Sequence, residues 1–192
     1  TGTGSAATVG HGLNGKVPEL IIVKNRDKTY NWAVWSSQLS SNAHYLFLNN
    51  TDSQSNSYYT FWNNTAPTGS VFSVGANSPD TAGNVNESGD DMVAYCFANV
   101  PGYQRIGSYT GNGSSTGPVV VTGFKPRFLL VKNLNASRNW VVWDTERANN
   151  DTLKANSSGA EESNYQVDAL PNGFQIKNTW NEFNENGATI LY

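Results

Sequence analysis

The sequence is poor in the residues on which covalent and metal chemistry most often depends. It contains one cysteine, Cys96, and two histidines, His11 and His44. A lone cysteine excludes an intrachain disulfide and a cysteine-based zinc site, and two histidines leave little material for a nucleophile–base pair. Cys96 lies in the apolar run 92–98, where we expect a small, buried hydrophobic side chain. Since GxSxG, HExxH and Walker motifs are also absent, we expect neither enzymatic activity nor a cofactor.

Charge and long apolar runs are scarce as well. Only 14% of the residues are charged, whereas about 25% is typical of soluble domains. The net charge is −3, from 12 Lys and Arg against 15 Asp and Glu, and no basic cluster stands out. Nucleic-acid binding is therefore not expected. The sequence has no run of about 18 apolar residues, which argues against a transmembrane helix and against membrane insertion.

Neutral polar residues and aromatic residues take the place of charge. The sequence has 26 Asn, 19 Ser, 16 Thr and 18 Gly, together with 6 Trp, 9 Tyr and 8 Phe. Strand and turn formers thus dominate, and strong helix formers are few. No amphipathic helix of useful length is visible, although 36–39 and 144–148 can each form one helical turn. The composition predicts an all-β chain with enough large apolar side chains for a core.

An internal repeat organises the sequence. The segment 18–35 reads PELIIVKNRDKTYNWAVW, and the segment 126–143, which lies 108 residues later, reads PRFLLVKNLNASRNWVVW. Shorter matches occur in the same order around both segments: Thr1–Gly4 with Thr110–Gly113, Gly12–Leu13 with Gly123–Phe124, Val71–Val74 with Gly173–Ile176, and Met92–Tyr95 with Ala188–Tyr192. These ordered matches predict a duplication into two units, 1–100 and 101–192. The second unit ends where its last strand would be expected to continue.

Each unit has the pattern of an antiparallel β-structure. The apolar runs 20–24 and 128–132 have the character of buried strands, and 31–35 and 139–143 that of their hairpin partners. Further strands are expected near 43–48, 58–62, 70–75, 91–98, 104–108, 117–122, 152–156, 173–178 and 187–192. Short, regularly spaced strands are typical of sandwiches and jelly rolls. We therefore predict two tandem antiparallel β-sandwich units, jelly-roll-like, which are either separate or exchange strands around a shared core.

The paired tryptophans of the repeat are predicted to point to opposite faces of their strands. Alternation places Trp32 on one face and Trp35 on the other, and it separates Trp140 from Trp143 in the same way. One tryptophan of each pair should lie in the core. The other should pack against a neighbouring unit or a partner subunit, or contact a ligand.

Aromatic residues beside asparagine form the candidate ligand site. Aromatic rings stack on the apolar faces of sugars, and amide side chains hydrogen-bond to sugar hydroxyl groups. The residues with this character are Tyr58, Tyr59, Trp62 and Asn63 in the first unit, and Trp180 and Phe183 in the second. The alternative is that these rings pack in the core or in an interface.

The stretch 80–91 is rich in the oxygen ligands that calcium prefers. Its candidate ligands are Asp80, Asn84, Asn86 and Asp90. The stretch does not follow the EF-hand pattern, and a solvated acidic loop is the commoner structure for such a composition. We therefore expect no bound metal and keep these four residues as a weak candidate for a cation site.

Nearly the whole chain resembles a two-repeat domain of unknown function that recurs in tail-fibre-like and other virion structural proteins of bacteriophages, especially marine and cyanobacterial phages. The motifs that carry the resemblance are P-E-L-I-I-V-K-N and N-W-A-V-W in 18–35, the run 92–98, G-S-Y-T-G-N-G at 107–113, and N-W-V-V-W-D-T at 139–145. The resemblance implies a β-rich structural or adhesive protein on the virion surface, and it brings no catalytic residues with it.

The resemblance implies a non-enzymatic bacteriophage virion structural protein, part of a tail fibre or related appendage or of a capsid decoration, and the composition is compatible with that role. Its expected partners are other virion proteins, further copies of itself in a homo-oligomer, and a host-surface glycan to which it adheres. Two alternatives stay open. One is a secreted carbohydrate-binding module, and the other is a polysaccharide depolymerase whose acidic residues converge in a groove.

Overall fold

Strands account for nearly all of the regular secondary structure in the computed structural model, which describes residues 1–57, 61–76, 82–147, 151–163 and 166–192. The strands are β1 (Ala7–Gly10), β2 (Leu20–Asn25), β3 (Ala33–Ser36), β4 (Leu46–Phe47), β5 (Val71–Val74), β6 (Met92–Phe97), β7 (Ser108–Thr110), β8 (Val119–Val121), β9 (Phe128–Asn133), β10 (Val141–Asp144), β11 (Thr152–Lys154), β12 (Val167–Leu170), β13 (Gly173–Ile176) and β14 (Thr189–Leu191). A 3-10 turn at Ala82–Asn84 and a short helix, α1, at Asn181–Asn184 accompany them. The prediction of an all-β chain is confirmed.

The described chain separates into two units. Unit 1 comprises Thr1–Leu48 and Gln54–Asn99, and unit 2 comprises Asn49–Ser53 and Val100–Tyr192. The main change of unit thus falls between residues 99 and 100, next to the boundary that the repeat predicts. The segment Asn49–Ser53 differs from the sequence prediction, because it belongs with unit 2 although the repeat assigns it to the first unit.

Among its described residues, unit 1 contains two antiparallel sheets. One has the strand order β4-β3-β2-β6, and the other consists of β1 and β5. Apolar side chains of both sheets are buried, among them Ile21, Val34 and Phe72. Removing these side chains from water is the main stabilising contribution to such a unit. β6 stands at the edge of the larger sheet.

The described part of unit 2 also contains two antiparallel sheets, with more strands in each. The strand orders are β11-β10-β9-β14-β7 and β12-β13-β8. Residues from both sheets meet in one hydrophobic core, which includes Trp143, Phe174 and Ile190. Helix α1 adds the buried side chain of Phe183 to the same core. Two sheets that share one core make this unit sandwich-like.

The repeated segments fold into hairpins of the same register. In unit 1, β2 pairs with β3 so that Ile22 lies opposite Val34. In unit 2, β9 pairs with β10 so that Leu130 lies opposite Val142, and each residue follows its counterpart by 108 positions. The apolar pattern enforces this register, because a slip by one residue would turn the buried side chains of a strand to the opposite face.

The strand expected at 58–62 needs correction. Phe61 and Trp62 lie in a turn, and residues 58–60 lie outside the described part of the chain. Asn63 and Asn64 follow with φ of 50° and 44°. Asparagine tolerates this left-handed conformation better than most residues.

Some short elements differ from the sequence prediction. Strands β1 and β12 and helix α1 are absent from the sequence prediction. The segments 36–39 and 144–148 contain a turn and a bend in their described residues rather than helix. Within the residues that the structure describes, no helix combines the length and apolar character needed to cross a lipid bilayer.

The tryptophans of the repeat pack in different ways. Trp35 and Trp143 are buried on the core side of their strands. Trp32 lies just before β3 and stacks on Tyr95 of the same unit, with 6.4 Å between ring centroids and 22° between ring planes. Trp140 is buried, and its backbone N–H donates to Oδ1 of Asn156. Of these four rings, that of Trp32 is the most accessible to solvent.

Candidate functional site

The most exposed tryptophan of the candidate ligand residues is Trp180, which precedes helix α1 and is 47% exposed. Its backbone is held firmly. The N–H of Trp180 donates to Oδ1 of Asn178 at 3.0 Å, and the carbonyl of Trp180 accepts the N–H of Phe183 at 3.0 Å and of Asn184 at 2.7 Å. The exposed indole is therefore carried by an ordered segment of backbone.

Polar side chains adjoin Trp180 in sequence. Thr179 and Asn181 are exposed, and Glu182 is half-buried. Glu182 accepts a hydrogen bond from Nδ2 of Asn139 at 3.4 Å, and Asn139 in turn accepts one from Asn156 at 2.9 Å. We call Thr179–Glu182 the Trp180 surface. It combines an apolar ring with amide, hydroxyl and carboxylate groups, which is the chemistry that sugar recognition requires.

The other predicted ligand residues lie in different surroundings. Trp62 is 2% exposed and Phe183 is 0% exposed, so neither ring is accessible for stacking on a sugar in this structure. Asn63 is exposed, and Tyr58 and Tyr59 lie outside the described residues. Phe183 is buried because α1 turns it into the core of unit 2, although the same short segment leaves Trp180 outside.

The sequence prediction did not include a further exposed aromatic ring. Tyr95 on β6 is 47% exposed and forms the outer partner of the stack with Trp32. Alternation along β6 gave no signal for it, because Ala94 on the opposite face is exposed as well, while Phe97 on the same face is half-buried. Cys96 is half-buried rather than fully buried as expected, and its partial burial raises the pKa of the thiol.

The weak candidate cation site is occupied by internal hydrogen bonds. Asn86 accepts the N–H of Thr3 at 2.9 Å, and its Nδ2 donates to the carbonyls of Ser5 at 2.7 Å and Gly75 at 2.8 Å. Asp90 accepts a hydrogen bond from Asn25 at 2.7 Å. These hydrogen bonds attach the segment that contains Asn86 and Asp90 to the rest of unit 1.

The remaining candidate cation ligands do not complete a site in the described residues. Asn84 is half-buried, and its Oδ1 has no hydrogen-bond partner there. Asp80 lies outside the described residues. In that part of the chain, His, Cys, Asp and Glu side chains form no group of three that is arranged to hold a metal ion.

Unit 2 contains a counterpart of the Asn86 contacts. Asn184 accepts the N–H of Asn112 at 2.8 Å, and its Nδ2 donates to the carbonyls of Ser114 at 2.7 Å and Asn178 at 2.8 Å. Asn184, like Asn86, is buried. Each amide thus joins its own segment to a segment at least 70 residues away in sequence, and leaving such a buried amide without partners would be costly.

A second pair of buried asparagines ends strands β2 and β9. Asn25 donates to Asp90, and Asn133 donates to Glu185 at 2.8 Å. The carboxylates also meet cations, since Lys28 lies 3.1 Å from Asp90 and a guanidinium nitrogen of Arg138 lies 3.4 Å from Glu185. The same order of amide, carboxylate and cation therefore occurs in both units.

Lys132 is a fully buried lysine on β9. Its Nζ donates to the carbonyl of Thr51 at 3.0 Å and to the carbonyl of Arg138 at 2.7 Å. Burial lowers the pKa of Lys132 to about 8, although the carboxylates of Asp52 and Glu182 act in the opposite direction. The bond to Thr51 explains how the segment Asn49–Ser53 is attached to unit 2.

Comparison with known proteins gives a family but no activity. A family model described as a domain of unknown function, DUF7483, matches residues 1–192. No curated protein and no solved structure matches the chain.

Proposed function

We propose, for a chain that belongs to the DUF7483 family, a non-enzymatic structural role in a bacteriophage virion, in a tail fibre or related appendage or as a capsid decoration, with recognition of a host-surface glycan. In this role the chain acts at the virion surface beside other virion proteins and further copies of itself. The virion context comes from the sequence resemblance. The Trp180 surface is the observation that carries the recognition part.

The use of polar residues supports a structural role. Four buried asparagines, Asn25, Asn86, Asn133 and Asn184, are bonded to distant backbone or side-chain groups inside their own units. Fully bonded buried amides rigidify a fold and specify one arrangement of its loops. An extracellular fibre or decoration benefits from such rigidity, because it must keep its shape outside the cell.

The Trp180 surface supports glycan recognition. An exposed tryptophan stacks readily on the apolar face of a sugar ring, and the neighbouring amide and carboxylate groups can bond to hydroxyl groups. The recognition would depend little on salt, because few charges are involved. The exposed ring of Tyr95 in unit 1 offers a second stacking surface of simpler composition.

A glycan array tests the recognition part directly. The full chain should bind a subset of bacterial surface glycans, and Trp180→Ala should lower the affinity about tenfold or more, a loss of about 1.4 kcal/mol or more in binding free energy. Tyr103→Ala is the matched control, because Tyr103 is a more exposed aromatic residue of the same unit. Equal binding by wild type and Trp180→Ala, or equal loss in both variants, would contradict the assignment to Trp180.

Two further measurements separate the proposed role from its rivals. Gold-labelled antibodies against the chain should mark a defined part of intact phage particles in electron micrographs. A secreted carbohydrate-binding module, which the Trp180 surface would also suit, predicts glycan binding without any labelling of particles. A polysaccharide depolymerase predicts the release of reducing ends from host polysaccharide during incubation with the chain, and we expect none.

A further inference from the structure

Strands β6 and β14 hold the same place in the larger sheets of their units, but their outer edges differ. In unit 2, β14 lies between β9 and β7. In unit 1, β6 pairs with β2 and ends the strand order among the described residues. An unpaired edge is a template to which another strand can bind.

The register identifies the backbone groups on the open edge of β6. The N–H of Arg26 donates to the carbonyl of Asp91 at 2.8 Å, so Asp91 directs its backbone groups toward the side of β2. Alternation in an antiparallel ladder directs Val93 and Tyr95 to the same side. Met92 and Ala94 therefore present their N–H and C=O groups at the open edge.

The turn that leads out of β7 recurs at the beginning of unit 1. In unit 2, Gly111 donates its N–H to the carbonyl of Ala188 at 2.9 Å. In unit 1, Gly2 donates to the carbonyl of Asp90 at 2.8 Å in the same way. Thr110, the last residue of β7, therefore corresponds to Thr1 of unit 1. A strand that preceded Thr1, as β7 precedes Gly111, would run along the open edge of β6.

Strand β7 shows what such a strand contributes. Its residue Tyr109 is opposite Ile190 of β14, which is fully buried, whereas Met92 at the corresponding place in β6 is only half-buried. The hydroxyl of Tyr109 donates to the carbonyl of Phe183 at 2.8 Å, and its ring centroid lies 6.0 Å from that of Phe174. Strand β7 thus forms hydrogen bonds with the edge of β14, and its Tyr109 side chain covers part of the core.

We propose that the open edge of β6 is a docking site for an extended peptide strand of the Gly-Ser-Tyr-Thr type, added antiparallel and running directly into Thr1. The docking is a case of β-strand addition, in which backbone hydrogen bonds supply affinity and alternate side chains supply specificity. β7 is itself part of the connection that follows unit 1. The strand that fits β6 is accordingly the connection that follows another unit of the same kind, so that units are joined in series.

The test uses the full chain with and without a short extension. The extended chain carries Arg-Ile-Gly-Ser-Tyr, the sequence of residues 105–109, directly before Thr1. Hydrogen exchange should slow about tenfold or more at the amide of Ala94, while the amide of Tyr95, which already faces β2, should change little. The thermal midpoint of unit 1 should rise.

A control extension and an assembly measurement keep the test decisive. In the control, proline replaces the tyrosine of the extension and removes the N–H that would bond to Met92, so protection of Ala94 should be largely lost. Unchanged exchange at Ala94 in the extended chain would overturn the proposal. Protection of Ala94 without any extension, together with dimers in sedimentation equilibrium, would also overturn it, because a second copy would then occupy the edge. Neither result depends on glycan binding.

Discussion

The side chain of Asn133 donates a hydrogen bond to the carboxylate of Glu185 over 2.8 Å and so links the end of β9 to the residue that follows helix α1. The same amide donates to the carbonyl of Asn181 at 3.0 Å, and its oxygen accepts the N–H groups of Asn135 and Ala136. One buried side chain therefore fixes both the turn after β9 and the position of α1, the helix that carries Trp180 at its start.

Replacement of Asn133 by aspartate should destabilise unit 2 strongly. The variant Asn133→Asp loses both Nδ2 donors and places a second carboxylate beside Glu185. We expect the free energy of unfolding to fall by about 3 kcal/mol at pH 7, measured by urea denaturation. Asn172→Asp, at an exposed position, should change it by less than about 0.5 kcal/mol. Similar losses in both variants would show that the Asn133 contacts contribute little.

Two glycines should resist substitution because backbone lies where a Cβ atom would go. A Cβ on Gly2 would lie 2.0 Å from the carbonyl oxygen of Glu87, and one on Gly111 would lie 2.2 Å from that of Glu185. Gly2→Ala and Gly111→Ala should each lower the free energy of unfolding by about 2 kcal/mol or more. Gly10→Ala is the control, because its nearest atom would be 3.9 Å away. Thermal denaturation of the three variants provides the comparison.

The buried lysine predicts a stability that rises with pH. The pKa of Lys132 is about 8 in the folded chain, against a usual value of 10.5. Between these values the unfolded chain binds more protons than the folded chain, so the free energy of unfolding increases with pH, by at most roughly 3 kcal/mol. Urea denaturation from pH 7 to pH 10 should show this rise in the wild type.

The variant Lys132→Met serves as the reference for that series. It lacks the titrating amine, so the rise between pH 8 and pH 10 should disappear, and Lys24→Met should retain it. The comparison ends at pH 10, because burial raises the pKa of Tyr109 well above 10 and its titration in the unfolded chain then lowers stability. Equal slopes in wild type and Lys132→Met would contradict the assignment.

The Asp90 contacts predict a loss of stability in acid. The hydrogen bond from Asn25 and the pairing with Lys28 lower the pKa of Asp90 below its usual 3.8, and the contact with Asp90 raises the pKa of Lys28 above 10.5. The carboxylate therefore stabilises unit 1 above about pH 4 and ceases to do so as the pH falls through its lowered pKa. The Lys28 ammonium stabilises unit 1 fully below its usual pKa of 10.5, and this contribution is lost as the pH rises through its raised pKa.

The variant Asp90→Asn should remove this acid dependence. Urea midpoints at pH 3 and pH 6 should differ less for Asp90→Asn than for the wild type, while Asp168→Asn, at an exposed position on β12, should behave as the wild type does. A wild-type response in Asp90→Asn would mean that other carboxylates cause the acid effect.

The sequence by itself determined the β-structure and the pairing within the repeated hairpins. Apolar residues at 20–24 and 128–132 and at their partner strands specify burial locally, and a register slip would expose them, so the equal registers of β2–β3 and β9–β10 follow from the pattern. The scarcity of helix formers and the many turn residues led to the same fold class.

Tertiary structure alone decided which polar and aromatic residues are available at the surface. Asn86 has a side-chain oxygen that could bind a cation. In the folded chain this oxygen instead accepts the N–H of Thr3, which lies 83 residues away in sequence. Phe183 and Trp180 are three residues apart and equally aromatic, but the direction of α1 buries one and exposes the other. Hydrogen-bond partners and burial depend on segments that meet only after folding, so no local pattern could specify them.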